Sequence, residues 1–149
     1  MTKETSIEFA VQSWGNAWSN RNKKEVLALW DGEDPDTFYL PAECEHPLVS
    51  MVAIEKYVAA ICTQFRTIRH RPEAVITKQL SDDIGLAFYV LKWVLADSGG
   101  PFGGQYRVTA LWRRRQDQWK LTAYAEAPLA PLVELKEYYQ HVAAEGLPK

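Results

Sequence analysis

The chain lacks most of the features that mark a specialised class of protein. Its two cysteines, Cys44 and Cys62, are too few for a disulfide framework. Free thiols fit a reducing compartment, and the protein is expected to be cytoplasmic. The three histidines, His46, His70 and His141, lie far apart and show no HxH or HExxH spacing, so no metal or other cofactor is expected. No apolar run approaches the roughly 20 residues that span a bilayer, and no membrane association is expected. The first residues, MTKETSIEF, carry no apolar signal-peptide core. A net charge of −2 leaves no electrostatic footprint for nucleic acid. The one dense basic run, Arg113-Arg114-Arg115, reads as a solvated strand end before a turn. Internal repeats and low-complexity linkers are absent.

What remains is an ordinary globular composition. Apolar residues make up 47% and charged residues 24% of 149 positions, which suits one domain, residues 1–149, around one core. Glu4 to Ser19 has an amphipathic helical pattern, with Ile7, Ala10, Val11, Trp14, Ala17 and Trp18 on one face. A shorter helix follows with Val26, Leu27 and Trp30. The stretch Asp31 to Asp36 is a turn by composition, and Thr37 to Leu40 a short strand stopped by Pro41. Ser50 is a suitable N-cap for a third helix carrying Ile54, Tyr57, Val58, Ile61 and Phe65.

Strand signals then dominate: Ala74 to Leu80, Ile84 to Ala96, Gln105 to Arg115 and Trp119 to Ala127, with a Gly-rich loop at residues 98–104. Pro131 to Glu145 closes the chain as a helix, with Pro131 in its first turn, Gly146 as its stop, and Leu132, Leu135, Tyr139 and Val142 as its buried stripe. Helices first and closely spaced strands after give an α+β fold with an antiparallel meander. The strand Ile84 to Ala96 is apolar on both faces, so both faces need cover. The helices can cover one. A second subunit or the C-terminal helix is the candidate for the other.

Three stretches in this order resemble the nuclear transport factor 2-like superfamily, which includes ketosteroid isomerases and polyketide cyclases of the SnoaL type. They are AWSNRNKKEVLALW, FYLPAECEHPLVSMVAIEKYV and YRVTALWRRRQDQWKLTAYAEA. The resemblance implies a cone-like fold, in which N-terminal helices close a curved antiparallel sheet over a pocket, with an added C-terminal helix. It also implies a homodimer through the sheet. It sets no single function, because the superfamily includes isomerases, cyclases, hydrolases, dehydratases and proteins with no chemistry. Ketosteroid isomerases use a carboxylate base and an oxyanion hole of a tyrosine and a protonated aspartate. The matching positions here are Pro41 for the base, Trp14 for the tyrosine and Ala110 for the aspartate. All three groups are missing, so steroid isomerase chemistry is not expected.

The last hairpin orients the pocket. A two-residue loop at Asp117-Gln118 would pair Gln116 with Trp119, set Trp112 opposite Ala123, Ala110 opposite Ala125 and Val108 opposite Ala127, and turn that row inward. A three-residue loop would change the pairing. The resemblance turns Phe88, Val90 and Lys92 inward as well, with Tyr57, Trp14 and Trp18 from the helices and Tyr39 from the short strand. The expected ligand-binding set is therefore Trp14, Trp18, Tyr39, Tyr57, Phe88, Val90, Ala110, Trp112 and Ala123. The alternative for the aromatics is plain core filling.

Three residues are candidate catalytic groups. Lys92, desolvated in an apolar pocket, would act as a base or bind an anion. Glu43 and His46, in the loop after the short strand, would form a carboxylate–imidazole acid–base unit at the pocket mouth. A charged strand end and a solvated loop are the competing readings. Two functions stand: a protein that binds a small hydrophobic or aromatic molecule, with isomerase, cyclase or lyase chemistry on it, and a non-catalytic binding or assembly module.

Overall fold

The computed structural model describes residues 5–130 and 132–146. Ser6 starts helix α1 (Ile7–Ser19), its Oγ accepting from the Phe9 N–H at 3.1 Å and so filling one of the first-turn donors that a helix cannot satisfy internally. The earlier start expected at Glu4 lies outside the described residues. All six apolar positions of the predicted stripe are buried. Gly15 shares that stripe because the helix lies so close to the sheet: a Cβ there would come within 2.6 Å of Pro72 Cδ. Asn22 caps the short helix α2 (Lys23–Ala28) through the Glu25 N–H at 3.1 Å. Strands β1 (Phe38–Leu40) and β2 (Leu48–Val49) lead to α3 (Met51–Gln64), which Ser50 caps. Four long strands follow, β3 (Thr67–Gln79), β4 (Ile84–Asp97), β5 (Gly100–Arg115) and β6 (Gln118–Pro128), then α4 (Leu132–Ala144).

The six strands form one curved, unclosed sheet in the order β2-β1-β6-β5-β4-β3. Every pairing is antiparallel except β1 with β6, which run parallel. The architecture is the expected α+β one, with the N-terminal helices on the inner face. No helix among the described residues is long and apolar enough to cross a membrane.

Two readings of strand orientation need correction. In β4 the inner row is Gly85, Ala87, Tyr89 and Leu91, all buried, so Phe88, Val90 and Lys92 point to the outer face. A strand apolar on both sides has no alternation to orient it. The helix decides instead: Gly85 sits under Ile7, whose Cδ1 would lie 2.2 Å from a Cβ on that glycine. In the last hairpin the loop is Gln116-Asp117, with Arg115 paired to Gln118. Both loop residues have positive φ, 49° and 63°, as a type I′ turn demands. A bulge then leaves Thr122 between partners: Trp112 faces Leu121, Leu111 faces Ala123, Ala110 faces Tyr124 and Val108 faces Glu126. Ala123 therefore lies on the outer face and Tyr124 and Glu126 on the inner one.

The C-terminal helix forms, and Gly146, with φ 107°, follows its end. Its predicted stripe is not buried. Apart from half-buried Leu135, every described residue of α4 is exposed, Leu132 at 82%. Pro131 lies outside the described residues. The outer sheet face is also open, with Phe88, Val94 and Ile76 exposed.

One buried charge ties the helical half to the hairpin. Asp31, 1% exposed, pairs with Arg115 Nε at 3.1 Å and caps the following turn by accepting from the Glu33 N–H at 3.1 Å. Its own N–H donates to Leu121 O at 2.9 Å, which fixes the α2–β1 connection to β6. Removing the acid takes the shared carboxylate from Arg113 and Arg115, leaves Arg115 only the exposed Glu33, and strips the turn of the acceptor for the Glu33 N–H. Asp31→Ala is expected to lower the unfolding free energy by about 2–4 kcal/mol in urea titration. Arg115→Gln, which removes a half-exposed partner, is expected to cost about 1 kcal/mol or less.

Candidate functional site

The inner face of the sheet and the helices leave a cleft of about 310 Å³. Trp18 contributes from the end of α1, Tyr39 from β1, and Tyr57 and Ile61 from α3. The opposite wall comes from His70 on β3, Trp93 and Leu95 on β4, and Phe102 and Tyr106 on β5. Glu43 and Glu126 are its carboxylates. The rings pack on one another: Trp93 stacks on Tyr106 with centroids 5.0 Å apart, and Tyr39 lies 5.2 Å from Tyr57.

Glu126 reaches this wall because of the bulge at Thr122, which shifts β6 by one residue and turns the carboxylate from solvent to cleft. Its Oε2 accepts from the Ala42 N–H at 3.1 Å and its Oε1 from the Tyr124 hydroxyl at 3.0 Å. Burial pushes the carboxyl up to about 7, with the nearby Glu43 charge adding to the rise, although the Ala42 and Tyr124 hydrogen bonds and the Tyr39 phenol favour the ionised form. Such a group holds and releases a proton near neutral pH. Tyr57 donates its hydroxyl to Glu43 Oε1. Burial, then the bond to Glu43, raises the Tyr57 phenol, and burial likewise raises Tyr39, Tyr106 and Tyr124. The phenols therefore stay protonated as donors.

His70 stands on the other wall. Its backbone is clamped by Ser19, whose Oγ accepts from His70 N at 2.9 Å and donates to His70 O at 3.2 Å. Burial lowers its imidazole to about 4, so the ring is neutral at physiological pH. Its Nδ1 is buried with no hydrogen-bond partner, and its ring centre lies 5.4 Å from that of Trp18. Arg69 and Arg71 flank His70 in sequence but are not the cause of its low protonation. Desolvation is the cause instead.

The expected site residues divide into three groups. Trp18, Tyr39, Tyr57 and Glu43 line the cleft. Trp14, Ala110 and Trp112, each at most 1% exposed, lie in the core behind it, where Trp14 packs 5.1 Å from Tyr124 and 6.0 Å from Trp30. Phe88, Val90, Lys92 and Ala123 are on the outer sheet face, and Lys92 Nζ pairs there with Glu73 Oε2 at 3.0 Å. His46 is 84% exposed with Glu45 Oε1 at 3.8 Å, away from the cleft. The three catalytic candidates are thus not brought together. Among the described residues, no group of three His, Cys, Asp or Glu side chains is placed to hold a metal ion.

Glu126, His70, Trp93 and Tyr106 were not in the expected set. One signal for Glu126 was present: the apolar period of two in β6 slips from Trp119 and Leu121 to Tyr124, the mark of an extra residue between them.

No curated protein matches the chain. Solved structures share its fold. A protein from Streptomyces avermitilis, of the NTF2-like family and provisionally named a dehydratase, superposes with a TM-score of 0.74 at 16% identity, over 84% of this chain and 95% of that one. One from Xanthomonas campestris, provisionally named a calcium/calmodulin-dependent protein kinase II association domain, gives 0.72 at 20% identity, over 85% and 87%. A nuclear transport factor 2 (NTF2-like) superfamily protein from Salmonella enterica gives 0.72 at 12% identity, over 85% and 90%. At these identities the likeness is one of fold. The family model of the SnoaL-like domain matches residues 7–131, which includes the whole of the α1–β6 body. The chain therefore belongs to the SnoaL-like domain family and has the nuclear transport factor 2-like fold.

Proposed function

We propose that the cleft binds a small, largely apolar or aromatic molecule and that Glu126 moves a proton on it, as in isomerase, cyclase or lyase chemistry. The observation that carries this reading is a carboxyl held near neutrality in an aromatic-lined cleft. A group with that pKa is present in both forms at working pH, so it can take a proton as base and return it as acid. Glu43 and Tyr57, already joined, would position the ligand from the mouth. Neutral His70 would meet a polar atom of the ligand on the far wall, where its Nδ1 is unpaired. The names carried by fold relatives such as the Streptomyces avermitilis protein support this class of chemistry without identifying a substrate.

A panel of aromatic ketones and phenols tests the proposal. Ligands that raise the melting temperature are followed by NMR for enzyme-dependent exchange of a carbon-bound proton in D2O. Glu126→Gln is expected to bind them within a few-fold of the parent but exchange them ~10²–10⁴ times more slowly. Binding without exchange in the parent protein would leave the ligand-binding module as the function.

The raised Glu126 also makes stability depend on pH. In the unfolded chain its carboxyl ionises at about 4.3; in the fold it keeps its proton to about 7. Between these values the native state binds the extra proton, so this group's contribution to stability falls as pH rises through the window, by ~4 kcal/mol in all. Neutral His70 works the other way, because the unfolded chain takes up its proton below about 6.5 and the fold only near 4, so its contribution rises with pH. The difference between parent and Glu126→Gln, measured by urea unfolding near pH 5 and near pH 8, is expected to isolate the fall that Glu126 contributes.

We also propose a homodimer through the outer sheet face. Phe88, Val94 and Ile76 are exposed there, next to half-buried Leu86 and Val90, and α4 does not shield them. Light scattering is expected to give twice the chain mass, and Phe88→Glu to shift the protein to monomer. A monomeric parent would remove this proposal.

A further inference from the structure

The cleft has a charge imbalance. Two carboxylates, Glu43 and Glu126, line it, and no lysine or arginine does so among the described residues. The neighbouring cations are turned elsewhere. Arg21 donates to the carbonyls of Cys62, at 2.8 Å, and Arg66, at 3.0 Å. Arg66 in turn donates to Asp97 O at 3.0 Å. Arg71 and Lys92 hold Glu73 at 2.8 and 3.0 Å, and Arg107 donates to Pro128 O at 3.3 Å. The histidine of the cleft, His70, is neutral. A partly buried negative charge without a counter-charge is costly, and here the protein does not supply one.

The remaining lining has the matching chemistry. Trp18, Tyr57, Trp93, Phe102 and Tyr106 place electron-rich rings around the same space. Trp93 is the centre of one group, with Tyr106 stacked on it at 5.0 Å and Phe102 edge-on at 6.0 Å. Aromatic faces attract ammonium groups, most strongly where water is excluded, and quaternary ammonium ions are recognised by such cages. An anionic ligand would meet two carboxylates and no cation. A neutral ligand would use the rings but leave the carboxylates uncompensated.

We infer that the ligand of this cleft is an organic cation, a protonated or quaternary amine on an apolar or aromatic body, held by the rings and neutralised by Glu126 and Glu43. The inference rests on the reading of the cleft as the ligand site. It implies a pH dependence through Glu126. The titratable groups that face this carboxyl are Glu43 and Cys44 from the loop after β1, Tyr39 from β1, Tyr57 from α3, Tyr89 from β4, Tyr106 from β5 and Tyr124 from β6. His70 stands across the cleft. Burial raises the phenols and the Cys44 thiol, which stay neutral and add no charge of their own, and none of these groups can carry the positive charge that would offset an ionised Glu126.

The test uses the full chain and three probes of one shape class: benzyltrimethylammonium, its neutral carbon isostere neopentylbenzene, and phenylacetate. Dissociation constants are measured by ligand-observed NMR near pH 6 and near pH 8. The cation is expected to bind about tenfold more tightly than the isostere near pH 8, and the preference to shrink near pH 6 as Glu126 takes its proton. Glu126→Gln is expected to weaken the cation about tenfold while leaving the isostere unchanged. Glu43→Gln is the second variant, with the same expected direction, should the first not fold by circular dichroism. An isostere that binds as tightly as the cation at both pH values, or a preference for phenylacetate, overturns the cationic ligand and leaves the cleft as a binding site. If none of the three binds, the cleft reading falls with it.

Discussion

Strand β6 holds one residue more than its partner strand can pair, and the site depends on how that residue is accommodated. The I′ turn at Gln116-Asp117 starts the hairpin in one register, in which Trp112 faces Leu121. Thr122 then drops out of the ladder, its Oγ1 donating to Leu111 O at 3.3 Å, and the remaining pairs run one residue out of step. Because strand side chains alternate, that single step turns Tyr124 and Glu126 to the inside and Ala123 and Ala125 to the outside. The parallel strand β1 pairs with the shifted half of β6, Tyr39 beside Tyr124, so the tyrosines and the Ala42 N–H that hold Glu126 arrive through the same register. The Asp31–Arg115 pair and the bond from Asp31 N–H to Leu121 O brace the other half, next to the turn.

Above this frame the core and the cleft are one continuous aromatic body. Trp14, Trp30, Tyr39 and Tyr124 interlock with ring centres 5.0–6.2 Å apart. They exclude water from the back of the Glu126 carboxylate, and that exclusion produces its altered proton affinity. Two hydrogen bonds and a phenol oppose the shift, and desolvation outweighs them. Desolvation likewise keeps His70 neutral on the opposite wall. In both groups of the cleft burial is the largest cause of the shift, and the charge of Glu43 only adds to it at Glu126.

The sheet has two uses for its two faces. The inner face carries small and aromatic residues under the helices, and Gly15 and Gly85 let α1 settle directly on it. The outer face carries Phe88, Val90 and Val94, bordered by the Arg71–Glu73–Lys92 cluster. Lys92 therefore belongs to a solvated ion-pair group, and its residue type alone, an amine amid apolar neighbours in sequence, was misleading about its surroundings.

Element order, the Ser50 cap and the buried stripe of α1 were legible because they depend on short-range spacing: Ser50 caps the helix that follows it, and period 3.6 names the buried face, whereas the apolar pattern alone starts α1 at Glu4 and misses the Ser6 cap. The α+β class and the family resemblance follow from that order. Trp18, Tyr39, Tyr57 and Glu43 were found from it too, since helices and the β1 loop approach the cleft from fixed sides. The sequence by itself determined the helices, the order of the long strands and which residues are apolar enough to be inside, but not β2, the first half of β3 or the stretch of β5 that the Gly-rich segment forms. Only the tertiary structure decided which face of β4 is inner, where β6 slips, and hence that Glu126 and His70 share a cleft that excludes Lys92 and His46. The reason is physical: a two-faced strand and a bulged hairpin have nearly equivalent alternatives locally, and long-range packing of α1 and β1 against the sheet chooses between them.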